Sequence, residues 1–112
     1  MAAKFEIKES ADKQFMFNLK AANGEVILTS ATYRQKRSAE QGIASVKANA
    51  SDDSRFERKT AKDGSPYFVL KAANGEIIGK SEMYSSVAAM ENGIASVVTN
   101  AAEAGIVDTT AG

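Results

Sequence analysis

The chain has 112 residues with 14 basic and 14 acidic side chains, and it carries neither cysteine nor histidine. Folding a chain of this length removes roughly two-thirds of its unfolded surface from water, enough for one core. The missing residues exclude disulfides, thiolate nucleophiles, imidazole bases and the usual zinc sites. Balanced charge gives no global field for nucleic acid or an anionic membrane, so such a partner would need a local patch.

Met1 to Lys8 alternates charged with apolar residues and has no apolar run of signal-peptide length, and no stretch is long and apolar enough to span a bilayer. The expectation is a soluble cytoplasmic protein with no cofactor and no membrane partner.

The first strand is marked by Phe5 and Ile7 alternating with Glu6 and Lys8, and the second by Phe15, Phe17 and Leu19 alternating with Met16, Asn18 and Lys20. Asn23-Gly24 marks a tight hairpin. A two-residue loop would pair Leu19 with Leu28, whereas a three-residue Ala22-Asn23-Gly24 loop with a left-handed glycine pairs Leu19 with Ile27. Ile27 recurs in the second half of the chain as Ile78 while Leu28 gives way to Gly79. The expected register therefore buries Ile27 beside Leu19 and turns Leu28 to the opposite face.

Ala39, Ile43, Val46 and Ala50 follow helical spacing, as do Met90, Ile94, Val97 and Ala101. Ser86 is the expected N-cap of the second helix; its counterpart Gln35 is a poor one, which predicts a first helix starting as late as Ser38. Asn49 and Asn100 are the expected helix stops in left-handed conformations.

Sliding the sequence against itself by 51 positions aligns residues 4–50 with 55–101 without a gap, and 23 of the 47 columns are identical. Ordinary composition gives about three. The chain is thus two tandem β-β-β-α units, 4–54 and 55–110, in one domain. The same shift carries Arg55-Phe56-Glu57 onto Ile106-Val107-Asp108, which predicts a further strand near 105–109 and a unit better written β-β-β-α-β. The predicted fold is α+β: one antiparallel sheet, two helices on one face, and last strands exchanged between repeats.

The repeated Phe-Glu, Phe-x-Leu-Lys-Ala-Ala-Asn-Gly-Glu, Ser-x-x-Tyr and Glu-x-Gly-Ile-Ala-Ser-Val, spanning Phe5 to about Thr109, resemble the YegP-like family of small bacterial proteins. The resemblance implies β-β-β-α-β units, in tandem or as two subunits, that share one sheet by exchanging their last strands. It implies no active site.

Gly42 and Gly93 fall mid-helix, where glycine costs about 1 kcal/mol against alanine, and close approach of the helix to the sheet or to the other helix is the expected reason, with a ligand contact as the alternative. Ser30 with Tyr33, and Ser81 with Tyr84, have no histidine or shared lysine to activate them, so they read as turn hydrogen bonds and a half-buried aromatic. Glu6, Glu57, Asp108, Glu40 and Glu91 recur at repeat spacing and would supply paired carboxylates for acid-base work or a cation. Glu6 and Glu57 alternate with Lys8 and Lys59 along their strands, and cross-strand ion pairs on a wet sheet face explain the strand glutamates more economically. Arg34, Lys36 and Arg37 cluster where the first helix begins and form a candidate anion site.

The helix-free sheet face is expected to carry Glu6, Lys8, Met16, Asn18, Lys20, Val26 and Leu28, with Glu57, Lys59, Tyr67, Val69, Lys71, Ile77 and Gly79. Its apolar content exceeds what a solvated face needs. Function is accordingly expected to be noncatalytic binding or assembly, with Lys20, Tyr67, Val69 and Lys71 contacting a protein partner or a second copy. The alternative is single-stranded nucleic-acid or anion binding through the sheet-face lysines and Tyr67, against which the zero net charge weighs.

Overall fold

The computed structural model of the chain describes residues 3–110. Its elements in order are β1 (Lys4–Glu9), β2 (Phe15–Lys20), β3 (Val26–Thr29), α1 (Lys36–Asn49), a single 3-10 turn (Asp53–Arg55), β4 (Phe56–Thr60), β5 (Pro66–Lys71), β6 (Ile77–Lys80), α2 (Val87–Ala101) and β7 (Gly105–Asp108). The strands form one sheet in the order β4-β5-β6-β3-β2-β1-β7.

The two repeats meet at β3 and β6, where Thr29 pairs with Lys80, its own counterpart 51 positions on. A pseudo-twofold axis therefore passes between these residues. The last strand crosses between repeats in one direction: β7, which closes the second repeat, lies against β1 of the first, with Phe5 beside Ile106. That pair is parallel, so the sheet is mixed rather than wholly antiparallel. A strand reached through a helix has no hairpin to force reversal.

The hairpin loop is the expected one. Ala21 N–H bonds to the Glu25 carbonyl, Gly24 N–H bonds to the Ala21 carbonyl, and Gly24 has φ 88°. The register beyond it differs from expectation. Lys20 pairs with Val26, but a bulge then makes Ile27 the extra residue, and Leu19 pairs with Leu28. The second repeat has the same bulge, with Lys71 opposite Ile77 and Leu70 opposite Gly79. Directly paired residues share a face, so Leu28 joins Leu19 in the core, and Ile27 is buried too. Leu28 and Gly79 leave the helix-free face, and Thr29 and Lys80 take their places.

The helical stripes are buried as their spacing predicts: Ala39, Ile43 and Val46 on α1 with Ala50 at its C-cap, and Met90, Ile94, Val97 and Ala101 on α2. Ser86 caps α2 by accepting the Ala89 N–H at 3.1 Å. α1 starts at Lys36, earlier than expected. Gln35 is extended but contributes no side-chain cap, and its backbone carbonyl accepts the Ser38 and Ala39 N–H groups instead. Neither Asn49 nor Asn100 is left-handed. Each remains in its helix and donates its side-chain amide one turn back, to the Ser45 or Ser96 carbonyl at 2.8 Å.

Each half of the core is built on three rings. Phe5 meets Phe17 edge-on at 5.9 Å, and Tyr33 stacks on Phe17 at 6.5 Å; Phe56, Phe68 and Tyr84 repeat this at 5.7 and 6.2 Å. The tyrosine ring lies against the helix, which explains the mid-helix glycines. A Cβ on Gly42 would stand 2.7 Å from the Tyr33 hydroxyl and 2.9 Å from Phe17 Cε2, and one on Gly93 would stand 2.6 Å from Tyr84 Cζ.

Candidate binding face

Strand alternation and the two bulges determine which side chains stand on the helix-free face. One cross-strand row runs the whole width of the sheet: Glu57, Val69, Lys80, Thr29, Asn18, Glu6 and Val107. Flanking rows carry Lys59 with Tyr67, Lys71 with Ile77, Lys8 with Met16, and Lys4 with Lys20 and Val26. Six lysines thus face two glutamates on a chain whose total charge is zero. The balancing acids lie in the loops, the helices and β7, and at Glu9, the last residue of β1, which shares the parity of Phe5 and Ile7.

Both glutamates are used internally. Glu6 pairs with Lys20 at 3.0 Å and Lys8 at 3.5 Å, and Glu57 with Lys71 at 3.1 Å and Lys59 at 3.3 Å. The Lys20 and Lys71 contacts are cross-strand ion pairs of the expected kind, while those of Lys8 and Lys59 run along the strand. Lys20 on Glu6, and Lys71 with Lys59 on Glu57, hold both carboxyls below their ordinary values. Among the described residues neither Lys4 nor Lys80 has an acidic partner; the Lys80 ammonium sits 5.1 Å over the Tyr67 ring.

The proposed contact residues are placed unequally. Lys20, Tyr67 and Lys71 lie part-exposed on the face. Val69 also points to it, away from Phe68 and Leu70, yet it is only 3% exposed because Glu57 and Lys80 flank it across the ladder and Tyr67 and Lys71 along the strand. Ile77 is 51% exposed. Beside it, between Thr29–Ala31 and Gly79–Ser81, a largely apolar cleft of about 300 Å³ opens where the repeats meet.

Most of the other candidate groups are occupied structurally, Glu40, Arg34 and Arg37 being exposed. Ser30 Oγ accepts the Phe17 N–H at 2.9 Å and donates to the Ala31 carbonyl at 2.7 Å; Ser81 does the same with Phe68 and Glu82. Burial raises the Tyr33 and Tyr84 hydroxyl pKa values, the wrong direction for a base or nucleophile. Glu6 and Glu57 stand on β1 and β4, separated by four intervening strands. Glu91 forms a two-pronged pair with Arg58 at 2.7 and 3.0 Å. Within the described residues no group of three or more acids is placed to hold a metal ion. Of the basic cluster at α1, Lys36 is held by Asp108 at 2.8 Å, while Arg34 and Arg37 are exposed.

Sequence reading recognised Lys8, Lys20, Lys59 and Lys71 but missed Lys4 and Lys80. Lys4 shares the parity of Glu6 and was available to pattern reading. Lys80 reaches this face only through the bulge at Ile78, which no pattern announces.

Comparison with known proteins matches residues 10–57 and 61–108 to one family, described as Domain of unknown function (DUF1508). Each matched span ends on the strand that follows a helix. The chain is similar to the UPF0339 protein YegP of Escherichia coli strain K12, 53% identical over 110 residues, covering 98% of this chain and 100% of that one. It is also similar to the UPF0339 protein MS1092 of Mannheimia succiniciproducens, 56% identical over 106 residues, covering 95% and 94%. Two solution NMR structures share the fold. UPF0339 protein SO3888 of Shewanella oneidensis has a TM-score of 0.90 at 50% identity over 96% of this chain and 92% of its own; E. coli yegP has 0.92 at 52% over 97% and 94%. None of these names carries an activity.

Proposed function

The chain belongs to the DUF1508 family, and we propose that it works as a noncatalytic binding module whose helix-free sheet face takes an acidic protein partner. The observation that carries this reading is the concentration of six lysines against two glutamates on one face of an electrically balanced chain. A local excess of four positive charges steers acidic surfaces and sets specificity by complementarity. The apolar cleft beside Ile77 supplies a dry centre for that contact.

A noncatalytic role is supported by the direction in which the carboxyls and tyrosines are shifted. The affected carboxyls, Glu6, Asp12, Asp52, Glu57, Asp63, Glu91 and Asp108, are lowered, and the tyrosines Tyr33 and Tyr84 are raised. Acid-base catalysis near neutral pH needs the opposite displacements. No helix among the described residues is long and apolar enough to cross a membrane, and a cytoplasmic site of action accords with the proposed partner.

Single-stranded nucleic acid is the second reading, favoured by Tyr67 among lysines. It ranks below the first because one ring, already covered by Lys80, offers little stacking surface. Binding of the purified protein to poly-glutamate and to a single-stranded oligonucleotide, each at low and physiological salt, tests both. Poly-glutamate should bind, weaken with salt and be lost in the Lys4→Glu/Lys80→Glu variant. Binding of the oligonucleotide alone, reduced by Tyr67→Ser, would replace the first reading with the second. No binding of either would remove both.

A further inference from the structure

β1 and β4 are equivalent strands. The shift of 51 carries Phe5-Glu6 onto Phe56-Glu57, and each strand pairs antiparallel with its own repeat's next strand. Their outer edges differ: β7 covers that of β1, whereas β4 lies at the sheet margin with no strand beyond it among the described residues. The duplication accounts for the difference. The first repeat's counterpart of Gly105–Asp108 is residues 54–57, and these instead form the 3-10 turn and the start of β4 itself. One of two equivalent strand sites is filled and the other is open.

The filled site is a template for the open one. Ile106 lies beside Phe5 and Asp108 beside Ile7. Lys36 holds Asp108, and Lys47, whose ammonium sits 5.8 Å over the Phe5 ring, donates to the Ala104 carbonyl at 2.9 Å. Thr109 bonds to the Ile7 carbonyl through both its N–H and its hydroxyl. At the open site the two lysines are replaced by Val87 and Val98, 63% and 40% exposed, and Ile7 by Arg58. The apolar shoulder thus comes from α2 and the cation from the strand.

We infer that the outer edge of β4 is a docking site for an extended segment of a partner protein. The segment runs parallel to β4, with an apolar residue beside Phe56 and Val98 and an acidic residue two positions later beside Arg58. Main-chain hydrogen bonds give such strand addition its affinity and alternate side chains its specificity. Arg58 is now bonded to Glu91 and to Asp53 at 3.0 Å, and Asp53 is the partner that an incoming carboxylate displaces. A β7 strand exchanged from a second copy is a poorer occupant, because it already fills the equivalent site in its own chain and exchange adds no pairing.

The probe is the synthetic peptide Ala-Gly-Ile-Val-Asp-Thr-Thr, the sequence of residues 104–110, added to the intact isotope-labelled protein. Amide signals of Phe56–Thr60 should shift and exchange more slowly, while Lys4–Glu9 stays unchanged because tethered β7 outcompetes a free peptide. A peptide with serine in place of isoleucine should not bind. Val87→Lys, which copies Lys36 at an exposed position, should tighten binding roughly two- to fivefold, the range of an exposed ion pair. No response at Phe56–Thr60 in both the unaltered protein and Val87→Lys, or a response confined to Lys4–Glu9, overturns the inference.

Discussion

Leu28 Cγ lies 2.6 Å from where a Cβ on Gly79 would stand. The two residues are one position of the repeat seen twice, on either side of the pseudo-twofold axis, and only one of them has room for a side chain. Gly79→Leu should therefore destabilise by about 1–3 kcal/mol through overpacking, and Leu28→Gly by at least the roughly 2–5 kcal/mol of a buried leucine cut back to alanine, through the cavity it leaves. The exchange Leu28→Gly/Gly79→Leu should recover most of both losses, because the axis makes the two placements equivalent. Urea unfolding of the four proteins checks this; a double variant as unstable as the sum of the singles would contradict it.

Lys13 has φ 66°, and its counterpart Gly64 has φ 88° in a turn with the same hydrogen bonds. A side chain in the left-handed region costs about 1 kcal/mol or more that glycine does not. Lys13→Gly should raise stability by about 0.5–1 kcal/mol, whereas Gly64→Lys should lower it by a similar amount in the same unfolding assay.

Gly42 faces the Tyr33 hydroxyl across the gap that a Cβ would fill. Gly42→Ala gains about 1 kcal/mol of helix propensity but loses more to the clash, for a net destabilisation of about 1–2 kcal/mol. Tyr33→Phe removes the obstructing oxygen. In the Tyr33→Phe background the cost of Gly42→Ala should shrink, and a double-mutant cycle showing no coupling would rule out the ring as the cause.

Asp108 is held at a pKa of about 2, against an ordinary 3.8, first by the Lys36 ammonium and then by hydrogen bonds from Thr110. The folded state thus binds this proton less tightly than the unfolded state. The contribution of the pair is complete above the ordinary value and fades as pH falls from there toward about 2. A carboxyl titration followed by NMR should place Asp108 near 2, and Lys36→Met should move it part of the way back, since the Thr110 bonds remain. An unchanged midpoint in Lys36→Met would dissociate Lys36 from β7 docking.

Repeat detection and apolar periodicity were enough to place the hairpin loops, the buried stripes of both helices and the strand at Ile106. They misled at Leu28 and Gly79, because recurrence between copies was read as a sign of burial. On a symmetry axis the reverse holds: two identical bulky residues cannot occupy one space, so the repeats must differ there. The same bulge concealed Lys80 and, with it, the extent of the basic face. The parallel direction of β7 depends on where α2 crosses the sheet, a tertiary property with no local pattern. The early start of α1 rests on the Gln35 backbone carbonyl, which every residue possesses.

The most direct test of the binding face is to map where an acidic chain touches the protein, by following backbone amide signals during a titration with poly-glutamate at low salt. The account predicts shifts concentrated at Lys4, Lys20, Tyr67, Lys71 and Lys80, collapsing as salt is raised, with the outer surfaces of α1 and α2 silent. Shifts centred instead on Arg34 and Arg37 at the start of α1, or no shifts on the sheet at all, would contradict it.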